Sequence, residues 1–207
     1  MQGSKRLVIA LLAIGTIGLS GCVGLAATGA AVGLGTVAAL DRRTLGAQTE
    51  DQGLELRAVR ALQDNVRHAG GISVTSYNRK VLLTGQVVDE QAKRDAERVI
   101  ALLPNVRQVH NELEVSGRAS VGTSAADAAI TARVKTALLE DRTVPGSSVK
   151  VVTETSVVYL MGLVTEAEGR RAAEITSRTS GVRRVVTLYE YITEQEKQRL
   201  SLAPARR

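Results

Sequence analysis

Residues 54–115 carry a regular succession of hydrophobic patterns. The first is helical, because apolar residues recur at every third or fourth position. These positions are Leu56, Val59, Leu62 and Val66. Residues 72–77 and 81–87 then alternate between apolar and polar side chains, which is typical of two strands joined by a turn at Asn78 and Arg79.

A second helical pattern follows Asp89, whose side chain can cap the first turn of a helix. Its apolar positions are Ala92, Ala96, Val99 and Leu103. Pro104 ends this helix, and a third alternating segment runs to Val115. The order is therefore helix, strand, strand, helix, strand.

The same order of helices and strands occurs again 77 residues later, so the chain contains an internal repeat. VLLTGQV at residues 81–87 aligns with VYLMGLV at residues 158–164. In the second copy the core positions of the first helix are Ile130, Val134 and Leu138. Strands are predicted at 149–153, 157–164 and 182–192, with a helix at 166–179. The fold class is α/β (α+β), with a three-stranded mixed sheet packed on two helices in each copy.

These patterns predict two small domains, residues 54–115 and 127–192, joined by a polar linker at 116–126. A tail at 193–207 loses the periodicity and is predicted to be frayed. A flexible linker rich in Gly and Ala is predicted at 22–53. Domains this small bury only about 60% of their chain surface, so we expect the two copies to pack on each other.

The first 21 residues have the features of a secretory signal: the basic pair Lys5 and Arg6, and an uncharged apolar run at 7–18. They end in Leu-Ser-Gly before Cys22, which resembles the lipobox of bacterial lipoproteins. This resemblance implies cleavage after Gly21, with an S-diacylglyceryl group and an N-acyl chain on Cys22. The alternative is a buried structural cysteine. Val23, in place of Asp, points to the outer membrane in such lipoproteins.

Residues 23–40 carry no charge and could be interpreted as a membrane-spanning helix. Ten of these 18 residues are Gly or Ala, and glycine weakens a helix by about 1 kcal/mol per residue. We therefore predict a spacer between the lipid and the folded part.

Composition removes several classes of function. The net charge of +6 is spread over the whole chain, which suits loose contact with anionic lipid or protein better than binding to a nucleic acid duplex. Aromatic residues make up 2% of the chain, too few for stacking on single-stranded nucleic acid. One Cys and two His are too few for a structural zinc site.

No constellation of residues suggests catalysis. His68 and His110 are expected to be solvated, and the carboxylates of Asp89, Glu166 and Glu168 stand where helices begin, a position that favours negative charge. We predict that the protein is not an enzyme and uses no cofactor beyond the covalent lipid on Cys22.

The sequence predicts different outer faces for the first helix of each copy. In the first copy, the face opposite the core stripe is polar and carries Arg57, Asp64 and His68. In the second copy, that face is apolar and has the cations Arg133 and Lys135 at its edges; it consists of Ala128, Ala129, Ala132, Thr136 and Leu139. An apolar strip edged by cations suits a helix lying at a lipid surface, although the strip could instead pack on the first domain.

Each copy, with Gly85 or Gly162 near the end of its second strand, resembles a BON domain. A lipobox followed by two such domains resembles the dual BON-domain lipoproteins of the Gram-negative outer membrane. The resemblance implies a lipid-anchored protein on the periplasmic face of that membrane, where it maintains membrane integrity and supports assembly of β-barrel proteins.

In that family, the first helix of the second domain and the turn after the second strand dock on anionic phospholipid such as phosphatidylglycerol. Together with the flanking cation Lys135, the matching positions here are Ala129, Ala132, Arg133, Thr136, Leu139, Gly162, Leu163 and Val164. The alternative is an adaptor that binds the β-barrel assembly machinery, or regulates peptidoglycan amidases, without recognising a lipid headgroup.

Overall fold

The computed structural model describes residues 41–116 and 125–202. The signal sequence, Cys22, the spacer at 23–40 and most of the linker at 116–126 lie outside the described residues, so the expectations about them stay predictions. Among the described residues, no helix combines the length and the apolar composition needed to cross a membrane.

The first domain contains two helices and a mixed sheet, as its sequence pattern predicts. Its elements are α1 (Leu45–Asn65), β1 (Ile72–Tyr77), β2 (Lys80–Val87), α2 (Glu90–Ala101), β3 (Gln108–Asn111) and β4 (Glu114–Val115). Strand β1 pairs antiparallel with β2, and β3 and β4 both pair parallel with β2. The predicted third strand is thus divided into two short strands, and the α+β fold class is confirmed.

The second domain repeats this arrangement. Its elements are α3 (Ala125–Glu140), β5 (Val149–Glu154), β6 (Val157–Val164), α4 (Glu166–Ser177), β7 (Arg184–Thr187) and β8 (Glu190–Tyr191). Strand β5 is antiparallel to β6, and β7 and β8 are parallel to it. The predicted core positions Ile130, Val134 and Leu138 are buried between α3 and the sheet.

Helix α1 differs from its predicted form in both length and rotation. It begins at Leu45, after a cap in which the Thr44 hydroxyl accepts a hydrogen bond from the backbone N–H of Ala47. The linker predicted to reach residue 53 therefore ends before the helix. The buried face consists of Asp51, Leu54, Ala58 and Leu62. Leu56 and Val59, which we predicted to face the core, are 64% and 39% exposed.

The tail also differs from expectation, because residues Glu194–Leu202 form a helix, α5. Its sequence lacks an apolar stripe, but the charged residues Lys197 and Arg199 pair with glutamates three positions earlier. Each pair at this spacing stabilises a helix by about 0.2–0.5 kcal/mol. Lys197 also reaches Glu168 of the second domain at 2.9 Å.

The two domains pack through the outer faces of their sheets. Tyr77 and Leu82 of the first domain join one buried cluster with residues of β6, namely Val157, Tyr159, Met161 and Leu163. The Tyr77 hydroxyl donates to the carbonyl of Ser148 (3.1 Å) and accepts from the N–H of Leu163 (3.4 Å). Strand β6 is consequently buried on both sides, which explains its unbroken run of apolar residues.

Candidate membrane-docking face

A buried aspartate sets the rotation of the first helix in each domain. In the second domain, the Asp127 carboxylate accepts hydrogen bonds from the N–H groups of Thr155 (2.9 Å) and Ser156 (2.8 Å). These two residues form the β5–β6 turn and have positive φ angles of 49° and 62°, which are unfavourable for residues other than glycine. The carboxylate therefore stabilises a strained turn and holds α3 in place above it.

Asp51 does the same in the first domain, where its carboxylate accepts from the N–H groups of Asn78 (2.7 Å) and Arg79 (2.8 Å). The Ser76 hydroxyl donates to the same carboxylate. The hydrophobic pattern did not reveal either aspartate. A signal was present, because Asp51 and Asp127 hold equivalent places in the two copies, one turn before the first apolar core residue.

With α3 fixed in this way, the apolar strip predicted on its outer face points away from the protein. We call Ala128, Ala129, Ala132, Thr136 and Leu139 the docking strip. All five are exposed, and Leu139 is 65% exposed. Of the two alternatives left open by the sequence, packing on the first domain is wrong for the described residues, because the sheet faces form that interface instead.

The two predicted cations lie beside the docking strip. Arg133 and Lys135 are both exposed. The Arg133 Nε donates to the carbonyl of Ser180 at 3.1 Å, which holds the guanidinium over the loop between α4 and β7. Lys135 has no hydrogen bond or ion pair with the described residues, so its ammonium group is available to an external anion.

Gly162, Leu163 and Val164 do not join the strip. They lie inside β6 and are buried, and no turn separates them from the capping residue of α4, Thr165. Leu163 is 8% exposed because it packs in the cluster between the domains. The interpretation of these three residues as a lipid-contacting turn is wrong, since they belong to a strand that the contact between the domains covers.

Beyond the C-terminal end of α3, Asp141 organises the following loop. The hydroxyl and the backbone N–H of Thr143 donate to its carboxylate, and Arg171 pairs with it at 2.9 Å. These hydrogen bonds, the one from the Thr143 hydroxyl first, lower the pKa of Asp141 to about 2. The loop that follows the docking strip is thus held against α4 by a carboxylate that stays ionised.

The equivalent face of α1 is exposed as well, and it is more apolar than we predicted. Leu56 and Val59 line a groove of about 600 Å³ together with Val74 and several polar residues. Four of the seven lining residues are polar, namely Gln52, Glu55, Arg60 and Gln63, so the expected contrast between a polar face in the first domain and an apolar face in the second is reduced but still present. The contrast that remains is in shape and charge, since small residues and two flanking cations characterise α3.

The two histidines lie in different elements of the first domain. His68 lies in the bend after α1, and His110 is half-buried in β3, where burial lowers its pKa. Within residues 41–116 and 125–202, no cluster of three His, Cys, Asp or Glu residues could hold a metal ion.

A family model described as the BON domain matches residues 50–117 and 126–192, more than half of the chain. The chain belongs to the BON-domain family. Each matched segment begins one residue before the aspartate that stabilises the hairpin turn of its BON domain, so both aspartates lie within the matched segments.

Among proteins of known name, this BON-domain chain is similar to the outer membrane lipoprotein DolP of Haemophilus influenzae. The two are 36% identical over 193 residues, which cover 91% of this chain and 96% of that protein. It is also similar to the 21 kDa hemolysin of Actinobacillus pleuropneumoniae, with 32% identity over 155 residues, 74% of this chain and 80% of that protein.

A solved structure, the C-terminal domain of CdsD from the type III secretion system of Chlamydia trachomatis, covers 69% of this chain and is itself covered to 67%. Its TM-score of 0.28 and its 14% identity are too low to support an argument about this protein.

The likeness to DolP extends over nearly the full length of both chains. It places this BON-domain protein at the outer membrane as a lipid-anchored protein. The names of these relatives describe a lipoprotein and a hemolysin and not enzymes.

Proposed function

We propose that this protein is a non-enzymatic lipoprotein on the periplasmic face of the outer membrane, which docks on anionic phospholipid and so maintains membrane integrity. The docking strip on α3 would make the contact. The observation that supports this most directly is Leu139, which is 65% exposed at one end of a strip of small side chains, with the cations Arg133 and Lys135 beside it.

The physical sizes of these contacts suggest a weak but useful attachment. Burying the Leu139 side chain in the acyl boundary contributes about 2 kcal/mol. Each of the two cations contributes about 1 kcal/mol near an anionic surface. The acyl anchor expected at Cys22 would strengthen this docking, because it would keep the domain close to the membrane and raise its effective concentration there.

The experiment compares binding to phosphatidylglycerol vesicles and to phosphatidylcholine vesicles. It uses the chain from residue 22 onward, with Cys22→Ser so that no acyl group is present. We expect binding to the anionic vesicles only, and at least a five-fold loss of affinity in Leu139→Ser. Leu102→Ser is the matched control, because Leu102 is 80% exposed in the first domain, and it should bind as the parent does. Equal weak binding to both vesicles would contradict the proposal.

A second candidate is an adaptor that contacts a component of the β-barrel assembly machinery, and the exposed groove at Leu56 and Val59 supports it. A photo-crosslinker at Leu56 and another at Leu139 would separate the two functions in the cell envelope. We expect lipid adducts from Leu139. Protein adducts from both positions, without lipid adducts, would favour the adaptor.

A further inference from the structure

A cavity of about 640 Å³ lies at the C-terminal end of α3, close to the docking strip. Its walls come from the loop after α3, the start of α4, helix α5 and one residue from the segment that precedes the first domain. The charged lining residues are Arg42, Arg142, Arg171, Lys197, Glu168 and Glu194. Four of these side chains are cationic and two are anionic. Arg42, Lys197 and Arg171 are paired with carboxylates, so the positive charge available to a ligand comes from Arg142.

The more deeply buried of the two carboxylates is already neutralised. Glu168 accepts two hydrogen bonds from the Arg42 guanidinium, at 2.7 and 2.8 Å, and pairs with Lys197 at 2.9 Å. Burial alone would raise the pKa of Glu168, but the hydrogen bonds from Arg42, the N–H of Thr165 and Lys197 outweigh it and lower the pKa to about 2. This carboxylate therefore places little net negative charge in the cavity.

Arg142 is the lining cation best placed to take a ligand. It is exposed at the cavity wall and has no hydrogen bond or ion pair with the residues that the structure describes. A guanidinium group presents two parallel N–H donors, which match the oxygens of a phosphate group.

We propose that this cavity binds the phosphate group of an anionic phospholipid while the docking strip contacts the acyl region. The proposal rests on the function proposed above. Two features favour a lipid over a free phosphate compound. Leu139 of the docking strip precedes Arg142 by only three residues. Arg42, which forms one wall, follows Cys22 by twenty residues, so the chain that arrives from the acyl anchor borders the cavity.

The test measures binding of the unacylated chain from residue 22 to phosphatidylglycerol vesicles in Arg142→Gln and in Arg67→Gln. Arg67 is a matched control because it is also exposed and has no hydrogen bond or ion pair with the described residues. We expect Arg142→Gln to lower the affinity about five-fold and Arg67→Gln to change it less than two-fold. Amide NMR spectra of both variants verify that they fold as the parent does.

A third arm titrates the parent chain with glycerol 1-phosphate in the absence of vesicles. We expect no saturable binding at concentrations where the vesicles saturate the protein. Saturation at those concentrations would assign the cavity to a soluble phosphate compound and overturn the proposal for a lipid. Equal losses of affinity in Arg142→Gln and Arg67→Gln, or no loss in either, would overturn the proposal that the cavity binds the phosphate group. The proposal that the docking strip contacts lipid would still stand. Failure of the parent chain to bind the vesicles at all would overturn the proposed function itself.

Discussion

At the scale of single residues, two buried aspartates decide how each domain is assembled. Asp51 and Asp127 are 2% and 3% exposed, and each satisfies two backbone N–H groups in a turn whose residues have positive φ angles. A carboxylate that accepts such bonds in a buried place contributes about 1.5–3 kcal/mol for each one, and its loss leaves the donors without partners.

Asp127→Asn should therefore destabilise the second domain by about 2–3 kcal/mol, because the amide replaces one of two acceptor oxygens by a donor. Urea denaturation measures the change. Asp64→Asn on the exposed face of α1 is the control and should change the free energy of unfolding by less than about 0.5 kcal/mol. A loss in Asp127→Asn as small as that of the control would contradict the role of the carboxylate.

His110 gives a pH dependence of known sign. Burial, first, and the nearby charge of Lys80 lower its pKa below the ordinary value of 6.5, and its Nε2 has no hydrogen-bond partner among the described residues. The folded state therefore prefers the neutral ring, and the associated stability is complete above pH 6.5. It should be lost as the pH falls through 6.5 towards the lowered value. His110→Gln should flatten the profile of unfolding free energy against pH in that window.

At the scale of elements, the sequence predicted strands well and the first helix poorly. The boundaries 72–77 and 157–164 coincide with strands β1 and β6, because alternation and turn residues mark both ends. Helix α1 was assigned the wrong face, since the apolar spacing of Leu56 and Val59 competes with the requirement that Asp51 reach the hairpin turn. The spacing of apolar residues does not indicate such a hydrogen bond. The strip on α3 was predictable because Asp127 and the apolar stripe demand the same rotation there.

The two glycines at equivalent positions of the repeat, Gly85 and Gly162, have different backbone conformations. Gly85 has a φ of 107°, and a Cβ atom there would collide with the carbonyl oxygen of Gly71. Gly162 lacks the positive φ and would meet a carbonyl oxygen at 3.0 Å. Gly85→Ala should cost about 2–4 kcal/mol of unfolding free energy by chemical denaturation. Gly70→Ala, where nothing lies within 4 Å, should cost less than 1 kcal/mol, about the ordinary surface effect. Equal effects of the two substitutions would contradict this account of Gly85.

At the scale of the whole molecule, the interface between the BON domains leaves the outer face of α3 exposed. Arg43 lies 3.9 Å above the Tyr77 ring and pairs with Asp51, while the neighbouring Arg42 reaches Glu168 of the second domain. The residues that lead into α1 therefore contact both domains. Because the sheet faces supply this contact, the outer faces of both first helices stay exposed and are available to other molecules.

Tyr77→Ala should weaken the interface between the domains without removing the core of either one, since Tyr77 belongs to the cluster between them. We expect the single cooperative unfolding transition of the parent to separate into two in calorimetry, because domains this small are coupled through that cluster. Tyr77→Phe, which keeps the ring and loses the two hydrogen bonds of the hydroxyl, should retain one transition at a lower temperature. Two transitions in the parent protein would contradict the coupling.

The most direct test of the central claim is an NMR titration of the unacylated chain from residue 22 with phosphatidylglycerol micelles and with neutral micelles. We expect shifts from the anionic micelles alone. They should be concentrated on Ala128 to Leu139 of α3 and should spare the groove at Leu56 and Val59. Shifts confined to that groove, or the same shifts from both micelles, would contradict the claim that the second BON domain docks on anionic lipid.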